Sequence, residues 1–383
     1  MEHPYTFGIE EEYFVFQRRT GTVQETMSPR FFDEARQALG KHVTRELLQS
    51  QIEIATTPCR NMRDARLQLV GCRQALQDLA FRHDLGILAA GTHPSAEWSE
   101  QHPTQAFRYG KVARDLQMLA RRKMICGMHV HVEVPQDRSR VDLMSRTLPY
   151  LPLLLALSTS SPFWQSRRTG LMGYRQNIYA ELPRSGLPDL FQSEEDYQSY
   201  VDTLIRNRII DDASFLWWAI RPSSHLPTLE LRITDVCTNV EDALAIAALY
   251  RSLITHLARK PDLNRGLTSP GRAIVEENKW RAQRYGIHGS LIDLHSGQAR
   301  SAANMLTELL DLLWEDAELL GCSEELATAQ MILRNGTSAD GQLAVYEERI
   351  AAGATADEAI HAVVDWLAGR TAAPLAAGLT AGG

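Results

Sequence analysis

Three consecutive acids, Glu10, Glu11 and Glu12, interrupt an otherwise apolar, β-prone run from Gly8 to Phe16. On a strand, alternate residues share a face. Glu10 and Glu12 then point the same way, about 7 Å apart, while Glu11 points the other way with Ile9 and Tyr13. Two carboxylates on one face repel, and burying either one unpaired is costly. A divalent cation removes both problems. The plainer alternative is a solvated edge strand whose charges discourage pairing with other chains.

Three further segments carry ionisable groups on one face only. In Gln51-Ile52-Glu53-Ile54-Ala55, Glu53 lies opposite Ile52 and Ile54. From 127 to 134, Met128, Val130, Val132 and Val134 alternate with Gly127, His129, His131 and Glu133. From 228 to 236, Leu229, Leu231 and Ile233 alternate with Glu230, Arg232 and Thr234. Each residue alone has an ordinary explanation: a half-exposed Glu53, an Arg232 that merely pairs with Glu230, an incidental His-x-His. The coincidence across four strands is what points to a metal site. A set dominated by oxygen, with an occasional imidazole, suits magnesium or manganese. Zinc would draw more His or Cys.

The familiar phosphate-binding loops are missing. No GxGxxG occurs. Gly266 to Arg272 has P-loop spacing, but Arg272 stands where Lys is needed, Ala273 where Ser or Thr is needed, and Pro270 breaks the nest of backbone amides. Phosphate binding therefore has to rest on metals and on Arg or Lys side chains.

The elements that must position these groups follow from periodicity. Residues 5–16, 43–57, 85–90, 125–134 and 228–236 read as strands. Residues 61–80 read as a helix, with Met62, Ala65, Leu69, Cys72, Leu76 and Leu79 at spacings of three and four. Helices are also predicted over 104–123, 139–157 (disturbed by Pro149 and Pro152), 194–206, 270–284 and 299–320, and in two pieces over about 325–369. Thr238 to Glu241 reads as a capping box that opens a helix to about Lys260, and Thr355 to Glu358 caps the last piece. Few strict strand–helix–strand units appear, so the fold class is α+β with a mainly antiparallel sheet.

The chain of 383 residues is 44% hydrophobic, ample for a large core. No linker divides it, so residues 1–370 are read as one domain and 371–383 as a disordered tail of small residues. The net charge of −7 disfavours nucleic acid and anionic membrane as partners. The most apolar run, Leu151 to Leu157, is too short to span a bilayer and contains Pro152. The N-terminus lacks the basic and apolar regions of a signal peptide. The five cysteines, Cys59, Cys72, Cys126, Cys237 and Cys322, are odd in number and form no CxxC, which fits a reduced, cytoplasmic protein.

Together these residues resemble the glutamate–cysteine ligase type 2 family, most closely its YbdK-like carboxylate–amine ligase branch. The resemblance is carried by Gly8-Ile9-Glu10-Glu11-Glu12, Gln51-Ile52-Glu53, Gly127-Met128-His129 and Glu230 to Asp235. It is strengthened by Tyr174-Arg175 through Leu182-Pro183 to Pro188, and by Glu276 through Arg281. Gly127 to His131 also resembles a metal and ATP motif of glutamine synthetase. The resemblance runs from about residue 5 to about 370.

It implies a glutamine synthetase- or guanido-kinase-like funnel: a curved, mainly antiparallel sheet with helices packed outside, ATP entering one end and amino-acid or amine substrates the other. It further implies Glu10, His129 and Glu230 on the metal that touches the nucleotide phosphates, and Glu12 and Glu53 on the metals nearer the acyl group. Glu46 matches a further acidic ligand. A regular strand would put Glu46 and Glu53, seven apart, on opposite faces, so a bulge or bend is expected between them. The same resemblance gives Arg232 to the transferring phosphoryl group, with Glu230 beside it. It gives His131, Lys279 and Arg281 to the nucleotide, and Arg175 with Tyr174 to a substrate carboxylate. The implied cofactors are ATP and Mg2+ or Mn2+; the assembly left open is a homodimer.

The chemistry accounts for the residue types. A carboxylate is a poor electrophile until ATP converts it to an acyl phosphate. Bringing two anions together requires bridging cations and an Arg on the transferred group. No protein nucleophile is needed, and no credible Ser/His/Asp or Cys/His set occurs. The expected reaction is ligation, nominally of glutamate with cysteine to give gamma-glutamylcysteine, ADP and phosphate. Two alternatives stand beside it. One is a metal-dependent hydrolase of the amidohydrolase type, built on His129 and His131 with His225 or His256 and Asp293. The other is a non-catalytic homologue that binds nucleotide or amino acid.

Overall fold

The computed structural model describes residues 5–104 and 107–372, with the backbone alone at 107–109. Seven strands form the main sheet: β1 (Phe7–Gln17), β2 (Val43–Arg45), β3 (Gln51–Ala55), β4 (Leu85–Leu88), β5 (Met128–Glu133), β6 (Ile220–Pro222) and β7 (Thr228–Leu231). Their order is β6-β7-β5-β1-β3-β2, and every pair is antiparallel. β1 is long enough to serve two neighbours on one edge. Its first half pairs with β5, Glu10 opposite His129, and its second half with β4, Phe14 opposite Leu88.

The two faces of this sheet differ as alternation requires. One face carries Ile9, Tyr13, Ile52, Ile54, Val130, Val132, Leu229 and Leu231, all fully buried. It packs under the helices Met62–Arg82 and Val240–Arg259. The second of these is buried on nearly every side from Ala243 to Ala258 and forms the spine of the core. Asn61 caps the first helix by accepting from the Asp64 amide. Glu11 is the one acid on the apolar face. It is fully buried and held bidentately by Arg73 of the first helix, at 2.5 and 2.8 Å. The same guanidinium bonds the carbonyls of Cys237 and Thr238, so the charge is fully partnered.

Several elements differ from their sequence-based expectation. Residues 43–57 form a hairpin, because the chain reverses between β2 and β3. The helix over 104–123 is broken into Phe107–Leu116 and Met118–Arg122 at Gln117, which adopts φ +51°. The strand from 228 stops at Leu231; beyond it Arg232 donates its amide to Ala219, and Asp235 bridges to Gly127. Thr238 does not form the capping box. Its hydroxyl donates to the Ala89 carbonyl, and Asn239 is the cap, accepting from Glu241. Residues 323–371 form three helices, Ser323–Asn335, Ser338–Ala351 and Ala356–Thr371, the last opened by the expected Thr355–Glu358 box. Thr371 still belongs to that helix, and the rest of the predicted tail, 373–383, lies outside the described residues. All five cysteines are free and buried. Among the described residues no helix is long and apolar enough to cross a membrane.

Candidate active site

The polar face of the sheet lines a cavity of about 320 Å³. Register decides which groups meet there. Glu230 on β7 sits opposite His131 on β5, and His131 sits opposite Gly8 on β1. Glu10 lies opposite His129 on one side and Ala55 on the other. Glu12 lies opposite Glu53, and Glu53 opposite Thr44. Gly8 and Ala55 are small, so the acids and imidazoles beside them open into the cavity.

Glu46 reaches this face through a bend rather than a bulge, the chain reversal between β2 and β3. Thr44 pairs with Glu53 across the hairpin, and residues two apart share a side. Glu46 therefore projects with Thr44 and Glu53, and all three acids, Glu12, Glu46 and Glu53, line the cavity. Thr44 fixes Glu53 by donating to Oε1 at 2.7 Å. The Gly127 amide fixes Glu12 by donating to Oε2 at 2.5 Å.

Two groups of ligand atoms converge. Glu10, His129 and Glu230 each offer one atom within 4.8 Å of the others, and so do Glu12, Glu53 and His129. His129 Nδ1 is 3.2 Å from Glu10 Oε2, and His131 Nε2 is 3.4 Å from Glu10 Oε1. Glu230 is fully enclosed: Arg221 Nε approaches Oε2 at 2.9 Å, and Arg232 Nη1 pairs with Oε1. Arg232 Nη2 also donates to the Tyr179 hydroxyl at 2.9 Å, while its Nε is buried with no partner among the described residues.

The electrostatics divide the cavity. Burial works against charge on Glu10, but His129 and His131 outweigh it and hold its carboxyl well below the usual range. Burial likewise opposes charge on Glu230, and Arg232 and Arg221 overcome it. At the other end burial pushes Glu53 well up, with Glu10 and Glu46 pushing further. Burial and then Glu12 raise Glu46 as well. Burial followed by Arg232 lowers His129 to about 4, leaving a neutral imidazole near pH 7. Burial favours the neutral amine of Lys123, but Glu46 and Glu12 outweigh it and keep the ammonium. Glu53 and Glu46, crowded acids that resist charging, are donors short of a cation. Oxygen-rich groups with one neutral imidazole fit magnesium or manganese.

Of the expected residues, Glu10, Glu12, Glu46, Glu53, His129, His131, Glu230 and Arg232 are brought together. Tyr174, Arg175, Lys279 and Arg281 do not line this cavity. Arg175 is buried behind it, its guanidinium so close to Gly127 that a Cβ there would overlap it, and bonded to the carbonyls of Arg232 and Ile233. Tyr174 packs on Trp164. Lys279 is tied to Glu276, and Arg281 to Ser290, within the helix Ser269–Tyr285 and the strand beside it. Of the hydrolase set, His225 joins His129 and His131 in lining the cavity, but no Asp completes it: Asp293 is bonded to a turn at Ser296 and His256 to Asp316 at 2.7 Å, and neither of these lines the cavity.

Lys123 and Arg221 are the lining cations that periodicity misses. Arg221 sits on a three-residue strand, too short to show alternation, and Lys123 in the irregular stretch before β5. A second cavity of about 210 Å³ adjoins the first across Glu10 and His131, walled by Phe7, Ile9, Pro58, Leu226 and Pro227.

A family model described as glutamate-cysteine ligase family 2 matches residues 6–365. Over 367 residues the chain is 44% identical to a protein of Bradyrhizobium diazoefficiens named "Putative glutamate--cysteine ligase 2", with 96% of this chain and 84% of that one covered. A protein of the same name from Rhodospirillum rubrum is 43% identical over 380 residues, 98% of each chain. Among solved structures, glutamate–cysteine ligase from Francisella tularensis in complex with AMP shares the fold. Its TM-score is 0.69 at 14% identity, over 97% of this chain and 90% of that one.

Proposed function

The chain belongs to glutamate-cysteine ligase family 2, a family of ATP-dependent carboxylate–amine ligases, and we propose that it activates an amino-acid carboxylate as an acyl phosphate in the sheet cavity, for attack by an amine. The observation that carries this reading is the meeting of two ligand groups, Glu10/His129/Glu230 and Glu12/Glu53/His129, with Arg232 in one cavity. These residues, with Glu46 beside them, would hold magnesium or manganese. When bound, the metal supplies charge neutralisation at phosphate and carboxylate oxygens.

The chain's own residues account for the rest. A substrate carboxylate oxygen attacks the γ-phosphorus of ATP, and ADP leaves with the electron pair of the broken P–O bond. Arg232, which lines the cavity, meets the transferring phosphoryl group with guanidinium N–H groups that Glu230 and Tyr179 leave unused. Glu230, held by Arg221, fixes the Arg232 fork in place. The amine then adds to the acyl carbon, phosphate departs and the nitrogen loses a proton, giving the amide. The nominal pair is glutamate and cysteine.

Oxygen-18 in the substrate carboxylate tests the path. One labelled oxygen is expected in inorganic phosphate for each amide formed, with ADP as the nucleotide product. AMP as the stoichiometric product, or phosphate free of label, would exclude the acyl phosphate.

The second cavity suits the nucleobase, since it is largely apolar and adjoins the Glu10 end. Gly8 lines it, and a Cβ there meets nothing nearer than Thr56 Oγ1 at 3.6 Å. Gly8→Leu should fill this space without unfolding the sheet. KM for ATP is expected to rise about tenfold, equivalent to ~1.4 kcal/mol, with the thermal midpoint held. An unchanged KM would place the base elsewhere.

A further inference from the structure

The acid substrate needs a cation, and Arg175 does not line the cavity where the reaction is proposed to occur. Among the described residues three Lys or Arg side chains do: Lys123, Arg221 and Arg232. Arg221 has three of its five N–H groups committed. Its Nε is on Glu230, and its Nη1 donates to the carbonyls of Ser214 at 2.6 Å and Leu216 at 2.9 Å. Arg232 is bonded to Glu230 and Tyr179, and the rest of its guanidinium is given above to the phosphoryl.

Lys123 differs from both. Its nearest acid is Glu46, with Nζ 3.9 Å from Oε2, beyond hydrogen-bond distance. The ammonium has three donors and makes no hydrogen bond among the described residues, yet its side chain is only 19% exposed. A part-buried cation with unused donors is costly unless an anion completes it. Glu46 does not supply that bond, although it stands close enough to keep the ammonium at this end of the cavity. The site is thus arranged to admit one more oxygen anion beside Glu46 and Glu12.

We propose that Lys123 binds the acid substrate through a carboxylate oxygen, and so selects for anionic acids at the acyl end of the cavity. The inference rests on the ligase reading above. No proton moves: the ammonium donates one hydrogen bond to the carboxylate while the substrate is bound. The competing role is to neutralise Glu46 and so steady the metal site from outside, without touching substrate. The two roles differ in what they perturb.

The test uses the full chain with Mg2+ and ATP. Wild type is first screened with L-glutamate and the other common amino acids as acid and L-cysteine as amine, scored by phosphate release and product mass. Lys123→Met and Lys123→Arg are then compared on the best pair. Substrate binding predicts that Lys123→Met raises KM for the acid at least tenfold, while KM for ATP and the Mg2+ concentration for half-activity stay within about twofold. Lys123→Arg should recover a substantial part of the loss, because a guanidinium also donates to a carboxylate. An unchanged thermal midpoint and nucleotide KM verify that the variant is folded. A shift of the Mg2+ requirement with an unchanged acid KM would overturn the inference in favour of the neutralising role. An unchanged KM for both would overturn it outright. Wild type that releases phosphate with no amino-acid pair would sink the ligase reading itself, and the inference with it.

Discussion

Glu10→Gln is expected to abolish ATP turnover and leave the fold standing, whereas Glu230→Gln is expected to lose both turnover and stability. The two acids belong to the same ligand group, but their surroundings differ. The Glu10 side chain is 29% exposed, opens into the cavity and is partnered by His129 and His131. An amide of the same shape can still bond an imidazole nitrogen, so little is lost from the fold. Losing the carboxylate charge removes a hard ligand where phosphate charge must be balanced. A fall of about 1,000-fold in kcat, ~4 kcal/mol, is the expected scale. Glu230 is buried between Arg221 and Arg232. Its amide would leave two buried guanidinium groups facing each other without a counter-charge. Breaking a buried pair this way costs about 3–5 kcal/mol. Phosphate release reads the first effect and urea unfolding the second. A chelator should silence wild type, and Mg2+ or Mn2+, rather than Zn2+, should restore it. Full activity in Glu230→Gln would refute the assignment of this ligand group.

What could be read from the chain beforehand depends on how far each side chain's direction is fixed by local periodicity. β5 alternates strictly, and on β1 residues two apart must share a face, so Glu10 could be grouped with Glu12, and His129 with His131, from spacing alone. The register that sets Glu10 against His129 is long-range and is seen only in the fold. Glu46 and Glu53 show the limit of the rule. Seven residues apart, they should oppose each other on one strand; the reversal between β2 and β3 cancels that parity, and nothing in the intervening residues announces it. Arg175 follows from resemblance and not from pattern. It sits on the five-residue helix Arg175–Tyr179, where its neighbours Gln176, Ile178 and Tyr179 are buried too. So short and enclosed a helix has no polar stripe to say which way a long side chain turns. The break at Gln117 was equally hidden, since no Gly or Pro marks it and its φ of +51° is a tertiary choice.

Arg232→Lys should lower kcat by roughly 10- to 1,000-fold, about 1.4–4 kcal/mol of transition-state stabilisation, with much smaller changes in KM for either substrate. The guanidinium does three things from one plane. Nη1 pairs with Glu230, Nη2 donates to the Tyr179 hydroxyl at 2.9 Å, and Nε remains without a partner among the described residues. Arg232 lines the cavity, so the N–H groups left over from the first two bonds are the ones a phosphoryl oxygen meets. A lysine ammonium has hydrogens enough but only one nitrogen. It cannot reach Glu230 and Tyr179 together and still meet the phosphoryl group from the same direction. The charge survives in Arg232→Lys, so Glu230 keeps a counter-ion and the unfolding midpoint should fall far less than in Glu230→Gln. Tyr179→Phe separates holding from contact. It removes only the Nη2 acceptor, so it should cost less in kcat than Arg232→Lys while leaving the guanidinium itself in place. If Arg232→Lys changed only the KM for the amino acid, Arg232 would be a substrate clamp, and the phosphoryl role would pass to another cation of the cavity.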